Sequence, residues 1–240
     1  MPQPEDTEDD DDAEPANPGD LRSRSRSVLT RGTSTDRTVF FSDAVFAIAM
    51  TLLVLDLEVP DGLAPDQVGA ALVGQVSHFF SFALSFAVIG SAWLNHHRKF
   101  SVIVRYDVRL QVLNLLLLFF VALLPLPTSV LSEYGGTSSP WPVVVYAAVV
   151  AGVYSMLDVL WVYAWRAKLM APTVDRDLYL YVFRGLLPVP LVFAVSIPVA
   201  FLMPGNAMYL WLLIIPADLL FHRMFSTPGI RPRQGRAPAA

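Results

Sequence analysis

The sequence predicts an all-α integral membrane protein with six transmembrane helices per subunit. Hydrophobic residues make up 54% of the 240-residue chain and charged residues 16%, whereas about a quarter of the residues in a soluble domain are charged. Six apolar segments follow one another, and each is long enough to cross a hydrocarbon layer about 30 Å thick. Basic residues flank these segments on one side only. Little sequence is left for a soluble domain.

The six apolar segments have bounds that composition defines. Asp43 is the one ionisable side chain between Val39 and Leu55, within the first segment. The fifth segment contains Pro188, Pro190 and Pro198, which should kink a helix. In chain order the segments are Val39–Leu57, Ser77–His97, Val108–Pro127, Trp141–Trp165, Leu178–Met203 and Ala207–Met224.

The distribution of basic residues predicts the topology. Lys and Arg lie before the first segment, between the second and third, between or flanking the fourth and fifth, and after the sixth. The connections at 58–76, 128–140 and 203–206 contain none. This alternation is the positive-inside pattern, so both termini are predicted to be cytoplasmic in a multi-pass protein of the plasma membrane. The excess of Arg over Lys indicates a GC-rich bacterial source.

The two ends of the chain differ from the apolar part. Residues 1–36 are acidic and then basic, with few apolar side chains, and we predict a disordered cytoplasmic tail. The basic stretch either lies on anionic lipid headgroups or serves as an orientation signal. Residues 37–225 form the predicted transmembrane domain. Residues 226–240 are rich in Pro, Gly and Arg and are predicted to be a second disordered tail.

The sequence argues against an enzyme. There is no cysteine, which excludes disulfides, thiolate metal sites and cysteine nucleophiles. No Ser–His–Asp or paired-Asp constellation, zinc motif or nucleotide-binding loop is recognisable. We therefore expect no cofactor, no bound metal other than permeant ions, and no nucleic-acid partner, with membrane lipid as the surrounding medium.

The first segment carries polar groups at both ends of an apolar helix. Arg37, Ser42 and Asp43 lie at the inner end, and Asp56 and Glu58 lie at the outer end. Between them a helical stripe contains Ile48, Leu52 and Leu55, with Thr51 at its edge. Acidic groups at both ends of a narrow apolar passage would concentrate cations. The alternative is that this stripe only packs against other helices.

The inner end of this segment matches a known motif. The stretch RTVFFSD fits Arg-x-x-x-Phe-Ser-Asp through Arg37, Phe41, Ser42 and Asp43, and it strongly resembles the first helix of the transmembrane protein 175 family of potassium-permeable channels. The resemblance implies a homotetramer with a central pore lined by helix one of each subunit, conducting monovalent cations passively. It further implies that Ile48 is the hydrophobic constriction and Thr51 the hydroxyl residue linked to selectivity. Leu52 and Leu55 continue that pore-lining stripe.

The same resemblance implies a structural polar network. In this family the motif arginine and aspartate are tied to polar groups on helices two and three, and the counterparts here are Trp93, His96 and Asn114. Asp158, at membrane depth in the fourth segment, is expected to make a structural contact between helices. A secondary transporter or exporter of cations or small solutes is the alternative function, and a non-transporting scaffold is a third.

Overall fold

The computed structural model describes residues 35–58, 61–204 and 206–214, apart from the side chains of residues 35, 36 and 186. The regular elements of this part are helical, apart from one isolated antiparallel bridge between Ile103 and Met170. The α-helices are α1 (Thr35–Leu52), α2 (Val68–Gly74), α3 (Val76–Phe100), α4 (Val108–Leu123), α5 (Pro125–Tyr134), α6 (Trp141–Arg166), α7 (Arg176–Leu186) and α8 (Pro188–Leu202). Two 3₁₀ helices, Leu53–Asp56 and Ala207–Leu213, extend α1 and follow α8.

Five helical spans in the described part of the chain are long and apolar enough to cross a membrane. They are Arg37–Asp56, Val76–Phe100, Val108–Tyr134, Trp141–Arg166 and Arg176–Leu202, and we number them one to five. The prediction of an all-α membrane protein is thereby confirmed. Most of the predicted sixth segment lies outside the described residues, as do residues 1–34 and the C-terminal tail. The count of six helices and the disorder of the two tails therefore stay predictions.

Capping residues and prolines set several helix boundaries. Asp107 and Asp175 precede α4 and α7, and their carboxylates accept hydrogen bonds of 2.8 Å from the backbone N–H of Leu110 and Leu178. Span five is divided where α7 gives way to Pro188, so the predicted interruption by proline is found there. Span three is also divided, at Pro125. Proline has no N–H to continue the helical ladder, which explains both breaks.

Span four, formed by α6, lies at the centre of the packing. It contacts helices of spans two, three and five. Within its most apolar 18-residue window 56% of the residues are buried, compared with 22% in span one. Tyr146, Val150 and Leu157 are fully buried along its length. Within the described residues span one is therefore peripheral, and most of its residues are not buried.

Span one is attached to the rest of the chain along one side. Helix α1 packs against α3 and α4. At the end of the molecule where α1 begins, the loop after α3 pairs with the loop after α6. The N–H of Val104 donates to the carbonyl of Leu169 at 3.0 Å, and the N–H of Ala171 to that of Val102 at 2.8 Å. These backbone bonds connect the inner end of span two to that of span four, beside the start of α4.

Candidate functional site

Helix α1 has one buried face. Ser42, Phe46, Ala49 and Leu53 are at most 1% exposed. Their spacing of four, three and four residues places them on one side of a helix. The helices they face are α3 and α4. This side of α1 is therefore fixed by packing within the chain.

The opposite side of α1, together with the 3₁₀ helix that extends it, carries the predicted pore residues. Ile48 is 58% exposed, Leu52 43% and Leu55 66%, and Thr51 is exposed as well. We call these four residues the open face. The Thr51 hydroxyl donates a 2.8 Å hydrogen bond to the backbone carbonyl of Ile48. The described part of the chain thus leaves all four side chains exposed.

A buried chain of hydrogen bonds links α1 to α4 and α3. The Asn114 amide donates to the Ser42 hydroxyl at 2.9 Å, and its carbonyl oxygen lies 2.9 Å from Nε2 of His96. Ser42 in turn donates to the backbone carbonyl of Thr38 at 2.8 Å. Ser42 and His96 are fully buried and Asn114 is 1% exposed. Buried polar groups require such partners, so this chain ties three spans together at fixed positions.

Aromatic side chains enclose the imidazole of His96. Its ring stacks on Phe100 with 4.1 Å between the ring centroids, and Phe46 lies 5.5 Å away. Next to Phe100, at 6.0 Å, is the ring of Tyr106 in the loop between α3 and α4. Burial raises the pKa of the Tyr106 hydroxyl, so this group is neutral at physiological pH. Aromatic rings therefore pack against His96, and Asn114 is the side chain to which its Nε2 is hydrogen-bonded.

A second bond links α1 to α3 at the neighbouring position. The indole N–H of Trp93 donates to Oδ1 of Asp43 at 2.8 Å. The structure thus brings together five of the predicted network residues in two groups, Ser42 with Asn114 and His96, and Asp43 with Trp93. The direct bond of Ser42 goes to α4, whereas that of Asp43 goes to α3.

Arg37 and Phe41 belong to neither group. Both side chains are exposed, Phe41 by 54%. Among the described residues, no ion pair joins Arg37 to Asp43. On the helix, Arg37 lies on the same side as Ile48, eleven residues further along, at the inner end of the open face. A role for Arg37 and Phe41 in the network stays a prediction about an assembly of more than one chain.

Asp158 has a neighbour that the sequence argument did not identify. Its side chain is 8% exposed, and the nearby Lys99 is 4% exposed and donates a 2.7 Å hydrogen bond from Nζ to the carbonyl of Leu157. The two side chains interact electrostatically. Lys99 lies in the last turn of α3, beside the basic connection between spans two and three, and its side chain faces the protein. A basic residue at the inner end of one apolar segment and an acidic residue in another would have been the signal for this contact.

The donor set does not fit a resident metal. Within the described ranges, no group of three or more His, Cys, Asp or Glu side chains is placed to hold an ion. The geometry offers instead a rigid inner attachment and an exposed apolar stripe on the same helix.

Comparison with known proteins identifies the family. The family model for the endosomal/lysosomal potassium channel TMEM175 matches residues 37–125. A potassium channel from Streptomyces collinus is 41% identical over 142 residues, which cover 58% of this chain and 69% of that protein. The chain belongs to the TMEM175 family. A potassium channel from Chamaesiphon minutus is 39% identical over 148 residues, covering 59% of this chain and 72% of the relative.

A solved TMEM175 structure shares the fold. The crystal structure of a lysosomal potassium-selective TMEM175 homologue from Chamaesiphon minutus superposes with a TM-score of 0.63 and 28% identity, over 80% of this chain and 98% of that one. The resemblance stated from the RTVFFSD motif is therefore confirmed. Because TMEM175 proteins are ion channels, the prediction that the chain is not an enzyme is confirmed as well.

Proposed function

We propose that this TMEM175 chain is a potassium-permeable cation channel that conducts passively through a pore lined by helix α1 of four subunits. The observation that carries the proposal is the open face: α1 buries one side in its own subunit and leaves Ile48, Thr51, Leu52 and Leu55 uncovered. Four copies that bring this face to a common axis line it with aliphatic groups and one hydroxyl per subunit. The relatives named potassium channels support the choice of ion.

In this proposal Ile48 forms the narrowest ring. A ring of aliphatic side chains resists hydration, so it limits ion flow by dewetting, and Leu52 and Leu55 extend the apolar lining outward. Opening then requires the ring to become wide enough, or wet enough, for a hydrated ion.

Thr51 supplies a polar atom one turn beyond the constriction. Because its hydroxyl proton is donated to the carbonyl of Ile48, the oxygen keeps its lone pairs for an approaching cation. Four such oxygens replace part of the hydration shell of a potassium ion. We therefore assign selectivity to Thr51 and the barrier to Ile48.

Charge placement supports the orientation. The positive-inside rule places both termini in the cytoplasm and Asp56 and Glu58 at the outer mouth of a bacterial plasma-membrane channel. Acidic groups there attract cations toward the pore. The two tails, residues 1–36 and 226–240, then lie on the cytoplasmic side of the 37–225 channel domain.

The geometry gives the transporter alternative no specific support. Transporters built from inverted repeats have interrupted helices in matching positions of two halves. Here span five is broken at Pro188, but span two, its counterpart in a three-plus-three arrangement, is an uninterrupted helix from Val76 to Phe100.

Three substitutions on the open face test the proposal by reversal potential and current per folded channel. Ile48→Ala widens the ring and Ile48→Asn wets it, so both should raise conductance. Thr51→Val keeps the shape without the hydroxyl and should lower the preference for potassium more than the current. Leu191→Ala on α8 is the matched control, because Leu191 is also 58% exposed.

The outcomes separate a pore from a packing surface. If the open face only packs against another helix, Ile48→Ala creates a cavity that costs about 2–5 kcal/mol, and the yield of folded protein falls while selectivity is unchanged. A Thr51→Val channel with the parental reversal potential, together with an Ile48→Ala protein that is merely unstable, refutes the proposal. Saturable flux without discrete conductance steps would favour a transporter, and no flux at all a scaffold.

A further inference from the structure

A histidine joins three spans at the outer end of the molecule. His78, in the first turn of α3, has Nδ1 3.6 Å from Oδ2 of Asp56 and Nε2 3.6 Å from Oε2 of Glu133. Asp56 ends the 3₁₀ helix after α1, and Glu133 lies in the last turn of α5. The His78 side chain is 20% exposed, that of Asp56 25% and that of Glu133 58%. One imidazole therefore lies between carboxylates from spans one and three.

A serine hydrogen bond holds the carboxylate of Asp56 in position. The Ser132 hydroxyl donates a 2.7 Å hydrogen bond to Oδ2 of Asp56, the same oxygen that faces His78. The Ser77 hydroxyl, next to His78, donates to the backbone carbonyl of Ser132 at 3.2 Å. Asp56 is thus held beside the imidazole by a bond that does not depend on the charge of His78.

No other charged group is in position to replace these partners. Helix α2, which contacts α3, contains no ionisable residue, and the outer half of α6 contributes only the Tyr146 hydroxyl, which bonds Ser85. The remaining acidic residues of the outer connection, such as Glu58 and Asp61, form no ion pair with His78 among the described residues. The electrostatic surroundings of His78 are therefore dominated by two carboxylates.

The protonation state of His78 decides how many of these contacts form. A neutral imidazole carries one N–H and donates to one carboxylate at most, whereas an imidazolium donates from both ring nitrogens. At 3.6 Å neither contact is yet a hydrogen bond. Nδ1 is buried and has no hydrogen-bond partner in the described part of the chain. A short movement on protonation would close both contacts.

We infer that His78 is a proton-binding site that responds to the pH outside the cell. Protonation ties the outer ends of spans one, two and three together and removes one negative charge per subunit from the region beside the outer mouth. Given the channel proposed above, on which the effect on current rests, external acidification should reduce potassium current. Losing one negative charge per subunit near the outer mouth lowers the local cation concentration, so the expected fall in current is about twofold.

The decisive variant is His78→Gln, which keeps a hydrogen-bonding side chain of similar size without titrating between pH 8 and 5.5. His97→Gln is the control: the same substitution at the exposed inner end of α3. Glu133→Gln, at a more exposed position, retains His78 and removes one partner. Current is recorded in bilayers with pH changed on one side at a time, and the melting temperature of detergent-purified protein is measured from pH 8 to 5.5.

Each outcome bears on the inference. We expect acid on the outer side to reduce the wild-type and His97→Gln currents, His78→Gln to be insensitive, and Glu133→Gln to be intermediate. The melting temperature of the wild type relative to His78→Gln should rise as pH falls, because only the protonated site is tied to both carboxylates. If the difference in melting temperature between the wild type and His78→Gln is the same from pH 8 to 5.5, the proposal of a proton-binding site is refuted. This test applies even to a preparation that does not conduct. If the melting-temperature difference between the wild type and His78→Gln changes with pH but the current does not, the link between His78 and conduction is refuted. The channel proposal is unaffected by that result.

Discussion

Replacing Asn114 with leucine should expose the cost of leaving His96 without a partner. The substitution keeps roughly the same volume but removes the amide, so Nε2 of His96 loses its 2.9 Å contact. Nδ1 has no hydrogen-bond partner within the described residues either. Ser42 still donates to the Thr38 carbonyl and loses only a donor from Asn114. The penalty therefore falls mainly on a fully buried imidazole.

The magnitude follows from two estimates. A hydrogen bond between membrane helices contributes on average about 0.6 kcal/mol, whereas a buried polar group left unsatisfied costs about 1–3 kcal/mol. We expect the larger figure, because His96 retains no other partner. At ~2–4 °C per kcal/mol, the melting temperature followed by tryptophan fluorescence in detergent should fall by about 2–12 °C.

A double-mutant cycle tests this reasoning directly. Removing both partners with His96→Leu and Asn114→Leu leaves no unsatisfied group, so the double variant should be more stable than the sum of the single effects by about 1 kcal/mol or more. Asn95→Leu is the control, since the Asn95 amide bonds only the Ser91 carbonyl of its own helix. Single effects that add within ~0.5 kcal/mol would refute the reasoning, and so would a control as damaging as Asn114→Leu.

Two further substitutions probe the attachment of α1 and the packing of α6. Trp93→Phe keeps an aromatic ring but removes the N–H that donates to Asp43, and it should lower the unfolding free energy by about 1–3 kcal/mol. The control is Trp141→Phe, at a 61% exposed position, which should change the unfolding free energy by less than ~0.5 kcal/mol. Equal effects of the two substitutions would count against the Asp43 bond. Gly152→Ala places a Cβ 2.7 Å from the Phe120 ring and should destabilise the protein by about 1–3 kcal/mol in thermal melts. In the control Gly90→Ala the new Cβ meets nothing within 4 Å, so the substitution should be neutral or stabilising. A Gly152→Ala protein as stable as the wild type would show that Phe120 moves aside freely.

Composition and charge were sufficient to predict the membrane fold, because a membrane leaves few alternatives for the backbone. Apolar length predicts most span ends within a few residues, since all backbone groups must be paired inside the helix. Span three is the exception, because it continues from the predicted end at Pro127 to Tyr134. The break at Pro125 was not predicted, although the prolines of span five were. A proline near a helix end and one in its middle look alike in sequence, and the neighbours of the freed carbonyl decide the outcome. In a continuous helix the N–H of residue 125 would bond the Val121 carbonyl, which here accepts a 3.2 Å hydrogen bond from the Leu124 N–H instead.

The candidate site was predictable where a motif specifies it and not elsewhere. The motif and its family resemblance led to Ser42, Asp43, Trp93, His96 and Asn114, but not to the division of these residues into two groups. That division depends on the directions in which neighbouring helices lie, which one sequence does not contain. The contact between Lys99 and Asp158 was missed for the same reason: the two residues are 59 positions apart, and no periodicity connects them.

In the proposed channel, the adjacency of Ser42 and Asp43 lets a structural motif determine which residues of the helix face the pore. Consecutive residues of an α-helix point about 100° apart, so Ser42 reaches Asn114 on α4 while Asp43 reaches Trp93 on α3. Two bonds in different directions add to the packing of Phe46 and Ala49 in fixing the rotation of α1 about its axis. A rotation by one residue would replace Ile48 on the open face with Ala47 or Ala49, exchanging a large aliphatic group for a methyl. In the proposed channel, the motif therefore determines which side chain forms the constriction, and substitutions at Ser42 or Asp43 should alter ion selectivity in any tetramers that still assemble.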